Sequence, residues 1–141
     1  MVHLKCCPTP MTVGKVLSIQ DGTPFENLTK HISLIGALQY LTHTKPDISF
    51  SVNKLSQFLK APTDVCWSVA KKILRYLKGT QDHGLHIKYT DRLALTGYFD
   101  ANWAWCPDDR NSVVGYCVYF GDSLVSWSSK KQAVISRSNT E

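Results

Sequence analysis

The sequence has no Cys-x-x-Cys pair, and its five cysteines, at positions 6, 7, 66, 106 and 117, are odd in number. Both facts argue against a disulfide framework and for reduced thiols in an intracellular setting. No run approaches the ~18 apolar residues of a membrane-spanning helix. The opening MVHLKCCPTPMTVGKVL has no apolar stretch behind a basic start, so it does not read as a secretory signal. Walker loops and GxGxxG fingerprints are missing, which removes the nucleotide chemistry they support. His83 and His86 stand three apart without a cysteine or acid at ligand spacing, so no zinc site is expected. No Cys–His arrangement suits nucleophilic catalysis. Repeats and low-complexity tracts are absent as well.

What is present suits a folded chain. At 141 residues and 43% hydrophobic, one domain is the default, and it can bury roughly 68–70% of its unfolded surface. The net charge of +5 is uneven. Residues 45–80 carry Lys45, Lys54, Lys60, Lys71, Lys72, Arg75 and Lys78 against Asp47 and Asp64, a local +5, whereas residues 1–44 give +1 and 81–141 give −1. Such asymmetry favours a polyanionic partner.

The period of the sequence changes partway along. Residues 1–27 hold no period and are punctuated by Pro8, Pro10, Gly14, Gly22 and Pro24, which predicts an extended arm. Three helices follow. The first spans 28–42, with Leu28, Ile32, Ile35 and Leu38 on one face and Gly36 free for close packing. The second opens at Pro46 and ends at Ala61-Pro62, with Ile48, Val52, Leu55 and Leu59 aligned. The third is capped by Thr63, carries Val65, Val69, Ile73 and Leu77 at i+4, and is closed by Gly79. From about residue 81 alternation takes over. Strands are expected at 86–89, 93–100, 114–120 and 124–129, with a hairpin turn at Gly121-Asp122. Helices followed by strands imply an α+β fold: a small helical bundle, then an antiparallel sheet.

Two acids draw attention. Asp100 ends a strand that begins among apolar residues, and Glu141 follows SRSNT where a helix should start. Placed together they would be half of a two-metal site, which needs several carboxylates at one point; a solvated strand end and a frayed terminus are the plain alternatives. A chain stopping there reads as a piece of a longer enzyme. Lys71, Arg75 and Lys78, with Lys72 alongside, share the polar face of the third helix. That face could track phosphates or simply be solvated. Trp103 and Trp105 could stack on bases or close the end of the sheet.

Five runs, taken in order, resemble the Pol polyprotein of copia-type LTR retrotransposons: CPTPM at 7–11, LIGALQYLTHTKPDISFSVNKLSQF at 34–58, AKKILRYLKGTQDHGL at 70–85, GYFDANWAWCPDDRNSVVGYC at 97–117 and SLVSWSSKKQAVISRSNTE at 123–141. The resemblance implies the C-terminal part of a reverse transcriptase at 28–80 and the N-terminal half of a ribonuclease H-like domain at 85–141, opening with three antiparallel strands of an incomplete sheet. It matches Asp100 and Glu141 to two metal-binding acids, a vestigial and incomplete catalytic set. The other aspartates of that site, and the polymerase's paired aspartates, lie outside this chain. Catalysis is therefore not expected, nor is a bound cofactor, although the intact family enzyme uses Mg²⁺. Lys71, Lys72, Arg75 and Lys78 would face an RNA–DNA hybrid or another duplex. A retained, non-catalytic nucleic-acid-binding protein is the second reading, and a chain with no stable fold the third. His31-Ile32, Asn102, Asn111 and Val113-Val114 depart from the family pattern.

Overall fold

The computed structural model describes residues 5–12, 17–102 and 111–132. Among these residues the fold is α+β, with three α-helices followed in sequence by a three-stranded antiparallel sheet whose two outer strands have no further partner. The chain divides into two compact units, Met1–Ile87 and Lys88–Glu141. No helix among the described residues is long and apolar enough to cross a membrane. Cys6, Cys7, Cys66 and Cys117 are free thiols; Cys106 lies outside the described residues.

In the first unit, helix α1 (Leu28–Leu41) starts at Asn27, whose side-chain oxygen accepts from the Lys30 amide at 3.0 Å. Helix α3 (Asp64–Gly79) starts at Thr63, whose hydroxyl oxygen accepts from the Cys66 amide at 3.4 Å. Asp64 adds negative charge at the positive helix end. Between them, Pro46 begins a 3₁₀ turn, Pro46–Ile48, before helix α2 (Ser49–Ser56). The expected continuous second helix is thus shorter and irregular at both ends. Past Ser56 the amides of Gln57 and Phe58 bond three residues back, to Lys54 and Leu55, which tightens and ends the helix. The Ser56 hydroxyl bonds the Asn53 carbonyl at 2.7 Å and competes with the ladder at the same place.

The core joins all three helices: Ile35 and Leu38 from α1, Val52 and Leu55 from α2, Cys66, Ala70 and Ile73 from α3, with Leu17, Ile48 and Phe58 from the connections. The buried faces differ from the expected stripes. On α1 the face is His31–Ile35–Leu38, and Leu28 and Ile32 are exposed. On α3 it centres on Cys66, Ala70 and Ile73, while Val65, Val69 and Leu77 are only half-buried. The i, i+4, i+7 spacing allows both faces, and the small Cys66 and Ala70 leave room for the neighbouring helices.

Gly36 is exposed and has no atom within 4 Å of where a Cβ would stand, so it makes no close packing contact. Gly36→Ala is expected to raise stability by about 0.5–1 kcal/mol, read as a higher denaturation midpoint. Gly79 has no left-handed backbone; the helix ends instead at Thr80, which caps it. The role of Gly79 is space, since a Cβ there would lie 3.1 Å from the Cys6 Cβ.

In the second unit, strands β1 (Leu95–Asn102), β2 (Val113–Phe120) and β3 (Ser123–Lys131) pair in chain order. Gly121, at φ 56°, makes the β2–β3 turn. Tyr98 stands opposite Cys117, and Cys117 opposite Trp127. The strand expected at 86–89 does not form. The Lys88 amide bonds the Ser123 hydroxyl at 2.9 Å instead of a ladder, and Tyr89 is 94% exposed. Alternation makes a strand only where a neighbouring strand is there to pair with, and residues 86–89 join neither described ladder.

Candidate functional site

Asp100 lies on β1, an edge strand, directly opposite Gly115 of β2. It is exposed, as is every residue of 91–100. By alternation Thr96, Tyr98 and Asp100 share one face. That face holds an open hollow of about 620 Å³, lined by Arg92, Thr96, Tyr98, Cys117, Tyr119, Gly121 and Asp122. Tyr98 and Tyr119 meet edge to face there, ring centres 6.0 Å apart. Glu141, Trp103 and Trp105 lie outside the described residues. No group of three or more His, Cys, Asp or Glu gathers as a metal site among the described residues. Mg²⁺ wants six oxygens in near-octahedral order, and one exposed carboxylate does not supply a two-metal site. The described residues therefore do not fit a pair of bound metal ions.

The basic helix is built differently from a bare cationic face. Lys71 and Lys78 are exposed, but Lys72 and Arg75 are half-buried under the chain's own N-terminal segment. The Lys72 ammonium donates to the Thr12 hydroxyl at 2.7 Å. The Arg75 Nε donates to the Lys5 carbonyl at 2.8 Å, and the Arg75 carbonyl accepts from the Cys7 amide at 3.4 Å. Cys6 packs over Gly79. Further along, the Asp64 amide bonds the Thr23 carbonyl and the Phe25 amide bonds the Pro62 carbonyl, each at 2.9 Å. Residues 5–12 thus lie along the C-terminal half of α3, and Thr23 and Phe25 meet its N-terminal end.

Other basic residues of 45–80 are also taken up by the fold. The Lys45 ammonium donates to the Thr80 and His83 carbonyls, both at 2.7 Å, and so caps the negative end of α3. Lys54 is buried. Next to the Lys45 cap, the Tyr76 hydroxyl donates to Asp47 at 2.6 Å. This bond, with burial and the Asp47 charge, pushes the Tyr76 pKa up to about 12. Lys45→Met is expected to lose two charge-assisted bonds and to destabilise the unit by about 2 kcal/mol, seen as a lower urea midpoint.

His31 is the unexpected group. It is fully buried, and neither ring nitrogen has a hydrogen-bond partner. Its ring lies 6.3 Å from Phe25 and 6.2 Å from Trp67, which stack on each other at 4.7 Å. Burial holds its pKa below the ordinary 6.5. In the sequence His31 stands out only as a departure from the family pattern, and its spacing from Ile35 and Leu38 is the signal for its burial.

The chain matches transposon proteins along its whole length. It is 45% identical over all 141 residues to the retrovirus-related Pol polyprotein from transposon RE2 of Arabidopsis thaliana, covering 10% of that protein. It is 46% identical, over the same span and share, to the Pol polyprotein from transposon RE1 of the same plant. The putative transposon Ty5-1 protein of Saccharomyces cerevisiae is 34% identical over 97% of this chain and 45% of its own length. No protein-family model matches the chain, and no solved structure does. The chain belongs to the family of retrovirus-related Pol polyproteins of transposons. It spans about a tenth of the length of the two plant polyproteins.

Proposed function

We propose that this chain corresponds to the junction of a copia-type Pol polyprotein, joining the end of its reverse transcriptase to the start of its ribonuclease H region, and that it has no catalytic activity alone. The observation that carries the reading is Asp100 on the first strand of a three-stranded antiparallel sheet, with no group of three or more His, Cys, Asp or Glu gathered as a metal site among the described residues. A two-metal phosphodiester site needs several converging acids to hold its ions. In a longer polyprotein Asp100 and Glu141, with acids from elsewhere, would be the residues to hold Mg²⁺, which would supply Lewis acidity for phosphodiester hydrolysis. Without those further acids, Asp100 and Glu141 carry too little charge to retain the pair.

Purified protein incubated with an RNA–DNA hybrid and Mg²⁺ is expected to leave the hybrid intact. Cleavage that disappears in Asp100→Asn would overturn the reading. The partner this region would meet is a duplex, met through the phosphates by α3.

A further inference from the structure

We infer that residues 5–12 are a displaceable cover over a phosphate-binding face on α3, and that a nucleic-acid duplex replaces them when it binds. The inference rests on reading α3 as a duplex-facing helix.

The chemistry of the covering contacts is its basis. Lys72 and Arg75 are cations, yet the partners they have from the segment are neutral: the Thr12 hydroxyl and the Lys5 carbonyl. The covering segment, KCCPTPMT, contains no acid and brings a cation of its own, Lys5. Charge-assisted bonds to an ionised acceptor are roughly twice as strong as those to neutral ones. A phosphate offered to Lys72 and Arg75 therefore improves on what the cover supplies. Lys71 and Lys78, already exposed on the same helix, are the first point of contact. Displacement then adds Lys72 and Arg75 and frees Lys5, which makes binding steeper in salt as counterions leave.

The near end of the cover is held by fit as well as by bonds. Cys6 sits over Gly79 with 3.1 Å between its Cβ and the position of a glycine Cβ. That proximity provides a lock. In the full chain carrying Gly79→Cys, the introduced Cβ stands beside that of Cys6, and once the two move apart by a few tenths of an ångström a disulfide would hold the cover shut. Binding of a labelled RNA–DNA hybrid is followed by anisotropy in EDTA, which keeps it separate from cleavage. Peptide mapping confirms the link, and circular dichroism confirms the fold of both redox forms. The reduced form is expected to bind at least tenfold more tightly than the oxidised form, with the larger salt dependence. Equal affinity in the two forms overturns the cover alone. No binding in either form overturns the duplex-facing reading of α3 as well. Preference for anionic lipid vesicles over the hybrid would assign the face to another partner and likewise overturn the inference.

A second measurement needs no variant. In the unaltered chain, hydrogen exchange at the amides of residues 6–12 is expected to accelerate when the hybrid is added. Binding with unchanged exchange there would show that the cover stays in place and would sink the inference.

Discussion

His31→Phe is expected to stabilise the helical unit by about 1–3 kcal/mol at neutral pH and to remove much of its sensitivity to acid. The imidazole is fully buried with two unpartnered nitrogens, and one unsatisfied buried polar group costs about 1–3 kcal/mol. Phenylalanine keeps a flat ring beside Phe25 and Trp67 and leaves no polar atom to desolvate. The pH effect follows from burial, which holds the native pKa below 6.5. In the unfolded chain the ring takes up a proton near pH 6.5; in the native chain it does so only at lower pH. Over that interval the unfolded state binds more protons, so stability is complete above about pH 6.5 and falls as pH drops below it. The slope cannot exceed about 1.4 kcal/mol per pH unit for one group. Urea melts at pH 7.5 and 5.5 test both parts. A variant less stable than the parent at pH 7.5 would mean that the ring nitrogens are satisfied after all.

Ile73→Ala should cost the same unit about 2–5 kcal/mol, the range for truncating a large aliphatic side chain in a packed core. Ile73 is fully buried at the meeting of α3 with the other two helices. Val65→Ala, on the same helix, should cost clearly less, since Val65 is half-buried at the margin of the core. The pair is informative because the i+4 stripe in the sequence ranks both residues alike. Comparable losses at the two positions would restore that stripe as the buried face.

The helices and their starts were legible because they rest on local chemistry. Thr63 caps where a short polar side chain precedes apolar periodicity; Asn27 has the same chemistry before α1, and the structure rather than the sequence reading identifies it as a cap. The hairpin at Gly121-Asp122 was equally local. Three features were not local. Which face of α1 and α3 turns inward depends on how helices meet, and the polar His31 hides the stripe it belongs to. Strand formation at 86–89 depends on a partner, and Lys88 finds a serine side chain instead. The polar face of α3 looked like a free cationic surface, because sequence spacing cannot show that Thr12 and the Lys5 carbonyl lie against it. Asp100 was visible as a strand-end acid, and it stands on β1 as an exposed residue.

The measurement that most directly tests the account compares this chain with a chimera extended by the segment that follows the matching region in the RE1 polyprotein. Both are given Mg²⁺ and an RNA–DNA hybrid. The account predicts no cleavage by the chain alone, cleavage by the chimera, and its loss when Asp100→Asn is introduced into the chimera. Cleavage by the unextended chain, or cleavage by the chimera that survives Asp100→Asn, would contradict it.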